Sequence, residues 1–225
     1  MYYGLIPAIV SMERKNNKNK STVNGKRLID YTLEAVMDSS LSKTFISTDY
    51  PESDFQNFLP SPKFVYLERP LNLRSTGLDS KATDYMEHCI ISQGISFNDA
   101  IILLQPECIF RKGKDIDMAL EAYEYSGKNT LVSGNYLITL KQLYNLDGTL
   151  MQPGEHVRAD KSTKIFKRNS SIYIFNVGWF IYHKTIFEDN PCFFEMESYK
   201  SLEVRNHNDF VQAEAMVKGG ILQEW

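Results

Sequence analysis

The stretch MYYGLIPAIV at 1–10 decides the reading of the fold. From Tyr2 to Val10 it is apolar throughout, with no polar residue on alternate positions. A run of that kind is buried on both faces, which marks a central parallel strand rather than a strand of a sheet with one wet face. Pro7 has no backbone donor, so the strand is expected to end there. The run is short, has no basic segment ahead of it and gives way to the charged residues Glu13 to Lys20. It therefore reads as neither a signal peptide nor a membrane span.

Working outward, ERKNNKNKSTVNGK at 13–26 is too polar to pack and reads as one long loop between the first strand and the first helix. Leu28, Ile29, Leu33, Val36 and Met37 recur at helical spacing and predict a helix over Lys26 to Met37. KTFIST at 43–48 and KFVYL at 63–67 predict short strands, and Ala82 to Gln93 a helix. A strand over Ala100 to Gln105 is closed by Pro106, and a helix over Asp115 to Tyr125 is closed by Gly127. This alternation builds βαβ units and a largely parallel sheet, whose ligands bind beyond the carboxyl ends of the strands. The loops after Pro7, Thr48, Leu67 and Gln105 are thus the expected walls of a site.

Beyond residue 135 the pattern becomes antiparallel: Tyr136 to Tyr144, a turn at Asp147-Gly148, a polar stretch from Gln152 to Thr163, and a strand over Ser171 to Phe175. A small β-rich subdomain or dimerisation arm over about 136–200 is expected within a single domain spanning 1–225. The aromatic run of Phe175, Trp179, Phe180, Tyr182, Phe187, Phe193 and Phe194 reads as either core or interface. Asp209 to Lys218 predicts a last helix, with Asp209 as its N-cap and Gly219-Gly220 stopping it.

The 225 residues are 43% hydrophobic and 24% charged, the composition of a globular domain and not of a disordered or fibrous chain. The formal charge of −3 provides no global positive field, so a small molecule is a better expected partner than nucleic acid or a membrane. Cys89, Cys108 and Cys192 lack the spacing of a disulfide framework or a zinc site, which fits a reducing, cytoplasmic setting. The histidines show no metal-binding spacing, and no nucleophile elbow is present. Lys15, Lys18, Lys20 and Lys26 line the loop after the first strand, where lysines and exposed amides either wrap phosphates or form a solvated basic loop.

LIPA at 5–8, KN at 18–19, GKRLIDYTLEAV at 25–36, FISTD at 45–49, ERP at 68–70, ILLQP at 102–106 with Arg111 following, and SSIYIF at 170–175 together resemble the acylneuraminate cytidylyltransferases. These are the CMP-sialic acid synthetases and their relatives acting on other nonulosonic acids and Kdo. The resemblance runs collinearly from about residue 5 to about residue 218. It implies an α/β, Rossmann-like nucleotidyltransferase fold: a mixed, mostly parallel sheet flanked by helices, with a small β-rich dimerisation arm. The implied reaction couples CTP to an acidic keto-sugar, giving the CMP-sugar and pyrophosphate. Mg²⁺ is the implied cofactor and a homodimer the implied assembly.

Carried over residue by residue, the resemblance implies that Ala8, Lys18, Asn19, Lys26 and Thr83 bind the nucleotide. Thr83 follows Asp79 and Ser80, which read equally as helix N-caps. Lys18, Arg111 and Lys141 take catalytic roles beside the phosphates. Gln105, Lys167, Asn169, Tyr173 and Phe193 shape the sugar site, and Glu203 holds the metal. Gln105 and Arg111 read alternatively as a strand-end hydrogen bond and a surface salt bridge.

The chain departs from the family pattern where Lys167 to Ser170 keep the charge and the asparagine of an R-P-N-G element but not its proline and glycine, and at three further places. Ile9 stands where an arginine is usual, Val10 to Arg14 replace a glycine-rich stretch and bring in Glu13, and Arg205 stands where a second metal-binding aspartate is usual. A guanidinium there neutralises phosphate without a metal. The departures leave an alternative open: a non-catalytic homologue that binds a nucleotide or sugar acid, or serves as a partner subunit.

Overall fold

A computed structural model of the chain describes residues 1–8, 21–74, 82–138 and 164–221. In chain order the elements are β1 (Tyr2–Ala8), β2 (Thr22–Val23), β3 (Lys26–Arg27), α1 (Leu28–Met37), β4 (Thr44–Thr48), β5 (Phe64–Glu68), α2 (Ala82–Ser92) and β6 (Ala100–Leu103). They continue with α3 (Gly113–Ser126), β7 (Thr130–Ile138), β8 (Lys164–Asn176), α4 (Val177–His183), β9 (Cys192–Glu195) and α5 (His207–Lys218). The main sheet has seven strands in the order β5-β4-β1-β6-β8-β7-β9. β1 is parallel to β4 and β6, β4 to β5, and β7 to β9, while β8 is antiparallel to both β6 and β7. Every strand but β8 therefore ends at one edge, and β8 begins there.

Side-chain alternation explains why the strands read as unbroken apolar runs. Ile6, Ala8, Ile46, Ile102, Ile172 and Ile174 pack under α1 and α3 through Ile29, Leu33, Val36, Ile116 and Leu120. Their neighbours Leu5, Phe45, Ile101, Leu103, Tyr173 and Phe175 point the other way, onto Met86, Cys89 and Ile90 of α2 and Val177 and Phe180 of α4. Both faces are covered, so period-two patterning disappears from the sequence. A third cluster lies off the sheet, where Ala213 of α5 packs with Val23, Leu28, Tyr31, Ile109, Phe110 and Val204.

Several boundaries differ from the sequence reading. β1 continues through Pro7, which is paired with Ser47. The Gly4 amide donates to Lys43 O on the β4 side, and Leu5 O accepts from Leu104 N on the β6 side. Odd-numbered residues thus turn their N–H toward β6, whose pairing with β1 stops at Leu5 and Leu103. The donor missing at Pro7 falls where no ladder bond is required, which is how a proline sits in a central strand.

The polar segment before α1 contains a hairpin. Asn24 (φ 50°) and Gly25 (φ 76°) form the turn between β2 and β3, which pair in antiparallel register. Two consecutive positive φ values match the twist of a two-residue hairpin and favour Asn-Gly. α1 consequently starts at Leu28 and not at Lys26. At the other end of the chain, Asn206 is the N-cap of α5, with Asp209 as the reciprocal partner of its capping box. This replaces the N-cap role expected of Asp209.

Within the span expected to form an arm, the described residues of β7, β8 and β9 join the main sheet, and CFFE at 192–195 is its edge strand. The turn at Asp147-Gly148 lies outside the described residues. Between Val132 and Gly134 the β7–β8 register shifts. A Cβ on Gly134 would stand 2.3 Å from Lys167 O, so the glycine permits this close approach of the two strands.

Candidate functional site

The edge at which the strands end carries a cleft of about 320 Å³, walled by Asn135, by Lys167, Arg168 and Asn169 at the start of β8, and by Ser201, Leu202, Glu203 and Asp209. Asn169 organises this wall from below. It is 3% exposed; its Oδ1 accepts from Ser133 Oγ at 2.5 Å and Ser171 N at 3.1 Å, and its Nδ2 donates to Ser201 Oγ at 2.8 Å. Ser133 Oγ in turn accepts from Ile172 N at 2.8 Å. One buried amide thereby ties β7, β8 and the 3₁₀ turn Ser198–Ser201 together.

The opposite lip is held by backbone and charge. Val204 N donates to Glu107 O at 2.9 Å, anchoring the lip to the loop after β6. Lys200, in the 3₁₀ turn, lies 2.7 Å from Asp115 of α3 and 3.0 Å from Glu197. Burial opposes its charge, but the hydrogen bonds it donates to Asp115 and Glu197 more than offset this and raise the Lys200 pKa above the ordinary lysine value.

Glu203 has both carboxylate oxygens engaged: Oε1 accepts from Ser170 N at 2.9 Å, and Oε2 pairs with Arg205 Nη2 at 2.5 Å. The same Arg205 nitrogen donates to Ser170 Oγ at 3.0 Å. Asp209 Oδ2 accepts from the Arg205 and Asn206 amides at 2.8 and 2.9 Å. Among the described residues no group of three His, Cys, Asp or Glu side chains is placed to hold a metal ion. With Glu203 ion-paired to a guanidinium and Asp209 closing a helix cap, the residues described here do not fit a divalent-cation site.

Of the residues singled out in the sequence, Lys167, Asn169 and Glu203 converge on the cleft. Tyr173 lies below it on β8, 4% exposed, packed edge-on to Phe187 at 5.7 Å. Burial pushes its hydroxyl pKa up. The Arg168 guanidinium sits 4.2 Å from the Phe187 ring centre, which orients it along the rim. Ala8 ends β1 at the same edge, fully buried.

Arg111 is turned inward and is 2% exposed, so it forms no surface salt bridge. It donates to Ser171 O, to Thr32 Oγ1 at 2.8 Å and to Gln105 O at 3.4 Å, joining β8, α1 and the end of β6. Burial lowers its pKa to about 10. Lys26 pairs with Glu34 and lies 4.2 Å from the Tyr31 ring centre, directed at α1. Thr83 stands in the first turn of α2, with its hydroxyl 3.4 Å from Asp84. Phe193 is half exposed on β9, its ring 4.6 Å from Phe166. Lys18, Asn19 and Lys141 lie outside the described residues, as do Ile9, Glu13, Asp79 and Ser80.

The sequence reading assigned no role to Arg69, although ERP was among the matching motifs. It is 3% exposed at the carboxyl end of β5, with Nε donating to Ser47 Oγ at 3.0 Å and Nη2 unpartnered. Its guanidinium stacks 4.4 Å from the Tyr85 ring centre. Burial lowers the Arg69 pKa and pushes that of Tyr85 up to about 12. A buried cation with a spare donor at the binding edge is a polar group held ready for a ligand acceptor. The available signal was its position, directly after an apolar strand and before a proline.

The fold is that of the Rossmann-like nucleotidyltransferases. A CMP:2-keto-3-deoxy-manno-octonic acid synthetase complexed with CTP superposes with a TM-score of 0.68 at 14% identity, covering 97% of this chain and 98% of the other. The 4-diphosphocytidyl-2C-methyl-D-erythritol synthase of Anaerococcus prevotii superposes with a TM-score of 0.66 at 9% identity, covering 96% of both chains. In sequence, the chain is 26% identical over 197 residues to the CMP-N,N'-diacetyllegionaminic acid synthase of Legionella pneumophila, covering 82% of each. It is 25% identical over 225 residues to the N-acylneuraminate cytidylyltransferase of Streptococcus agalactiae serotype V, covering 92% of this chain and 51% of that protein. The chain thus spans about half the length of the streptococcal relative. No protein-family model matches it. The resemblance read from the motifs is therefore also found over most of this chain. Among the described residues, no helix is long and apolar enough to cross a membrane.

Proposed function

We propose that this chain is a cytidylyltransferase that joins CMP from CTP to an acidic keto-sugar of the sialic acid or nonulosonic acid class and releases pyrophosphate. One observation carries the reading: a chain collinear with a CMP-legionaminic acid synthase over 82% of both proteins has a polar cleft, lined by Lys167, Arg168, Asn169 and Glu203 among others, at the edge where its strands end. The sugar's anomeric hydroxyl loses its proton to solvent as its oxygen attacks the α-phosphorus of CTP. The new O–P bond forms as the α–β phosphoanhydride bond breaks, and pyrophosphate leaves with that electron pair. The protein's task in such a transfer is to position the reactants and to place positive charge where negative charge accumulates.

Lys167 and Arg168 supply charge at the rim for a carboxylate or phosphate, and Asn135 and Ser201 supply neutral hydrogen-bonding groups for sugar hydroxyls. Arg111 and Asn169 act as positioning residues beneath them. A homodimer in the cytoplasm belongs to the same proposal. The Glu203–Arg205 pair favours a second reading, a homologue that binds nucleotide or sugar acid without turning it over. Incubation of the purified protein with CTP and a panel of nonulosonic acids, followed for pyrophosphate and CMP-sugar, separates the two. Formation of both products in equal amounts is the expected result. CTP binding with no product from any acid leaves the second reading.

A further inference from the structure

Among the residues that line the cleft, Asn135 combines burial with unused hydrogen-bonding groups. It is 8% exposed and borders the cleft beside Lys167, its partner across the β7–β8 ladder. Neither its Oδ1 nor its Nδ2 has a hydrogen-bond partner among the described residues. The other asparagine of the lining differs, because Asn169 uses Oδ1 for Ser133 and Ser171 and Nδ2 for Ser201. Buried polar side chains are ordinarily bonded, so one left free at the wall of a cleft is a group for a ligand to satisfy.

The surroundings narrow what that ligand group is. Lys167 and Arg168 are matched by Glu203 and Asp209, so the described lining has no net charge and suits an uncharged part of the ligand. A carboxamide offers an acceptor and a donor in one plane, the complement of a secondary amide. Leu202, the apolar side chain among the described lining residues, gives a surface for a short acyl chain. Resting on the reading above that the substrate is a nonulosonic acid, we propose that Asn135 is a specificity-determining residue that reads an acylamino substituent of the sugar. Its Nδ2 donates to the acyl carbonyl, its Oδ1 accepts from the amide N–H, and Leu202 meets the acyl chain. This narrows the part given to Asn135 above from sugar hydroxyls in general to one amide. A hydroxyl at the same carbon cannot serve both groups of the carboxamide at the amide spacing, so one of them stays unpaired.

Pyrophosphate release by the full chain with CTP is compared for matched nonulosonic acids that differ only in an acetamido group or a hydroxyl at one carbon, beginning with N-acetylneuraminic acid and its hydroxyl analogue. The wild type is expected to favour the acetamido acid about tenfold in kcat/KM. Asn135→Leu, close in size and without polar atoms, is expected to lower kcat/KM for the acetamido acid about tenfold, to change that for the hydroxyl acid less than about threefold, and to leave the KM for CTP unchanged. Melting curves check the fold, and Asn135→Ala repeats the comparison where the leucine does not pack. Equal losses on both acids, an undiminished preference in the variants, or wild-type turnover confined to acids without an acylamino group overturns the proposal while the cytidylyltransferase reading stands. Absence of product from every acid refutes that reading, and the proposal falls with it.

Discussion

Substituting Lys200→Met removes the cation from a nearly enclosed ion pair. The Lys200 and Asp115 side chains are 10% and 9% exposed and meet at 2.7 Å, whereas Glu197, the second partner, is 62% exposed and contributes little. Removing one partner of a buried pair costs about 3–5 kcal/mol, because the other charge is left without compensation. Asp115 keeps a second bond, from the Lys112 amide at 2.8 Å, which places the expected loss near the lower end, about 3 kcal/mol. With a urea dependence of about 3 kcal/mol per molar for a chain of this size, the unfolding midpoint should fall by about 1 M.

Lys200→Met combined with Asp115→Asn should lose less than the sum of the single variants, since neither charge is then stranded. The pH dependence has a definite sign. A lysine pKa raised in the folded state contributes stability that is complete below the ordinary value of 10.5 and is lost as pH rises through the folded value. The deficit of Lys200→Met should therefore shrink only above that pH. A midpoint shift below about 0.2 M, or strictly additive single variants, would refute the reasoning.

Gly113→Ala should lose about 1–3 kcal/mol, read as a fall in melting temperature of roughly 2–10 °C. The added Cβ would stand 2.6 Å from the backbone carbonyl of Asp38, where α1 and α3 meet, and backbone cannot rotate away. Arg111→Lys should lose about 1–3 kcal/mol in chemical denaturation without any ligand present, since a single ammonium cannot serve Ser171 O, Thr32 Oγ1 and Gln105 O together. Unchanged stability there would return Arg111 to a role at the substrate. Burial, with Tyr2 and Glu188 nearby, pushes Tyr123 up to about 12, so its neutral form is favoured in the folded state. Stability should fall as pH rises above the ordinary tyrosine value of 10.0, and tyrosinate absorbance of the folded protein should lag behind that of the unfolded chain over the same interval.

The central strands were legible because burial on both sheet faces leaves a local signature, the unbroken apolar run at 1–10 and its counterpart at 100–105. Three features needed tertiary context. Pro7 is tolerated because β6 stops short of it, which depends on a pairing between residues nearly one hundred positions apart in sequence. The Asn24-Gly25 hairpin was hidden by the surrounding Asn and Lys, although that dipeptide is the strongest local hairpin signal. Asp209 was recognisable as a capping residue, but Asn206 three positions earlier completes the box.

The site divides in the same way. Lys167, Asn169 and Glu203 could be placed together from motif order, because β8 starts at the edge where the other strands end. The inward turn of Arg111 was not readable, since a guanidinium that bonds carbonyls leaves no oppositely charged partner in the sequence. Arg69 was missed for the same reason, its nearest partners being a serine hydroxyl and a tyrosine ring.

α5 buries only Ala213 fully and rests on the hairpin and the loop at 109–110, away from both faces of the sheet. It can therefore detach while the strands remain paired, a local opening of lower free energy than global unfolding. The residues between Lys200 and α5 carry Glu203 and Arg205, so this opening widens one lip of the cleft and leaves the opposite wall in place. If a bulky ligand enters by that lip, its exchange is expected to follow the lifetime of the docked helix. Amide exchange should report it as a unit, with α5 exchanging ahead of β1, β4 and β6 and slowing when the cleft is filled.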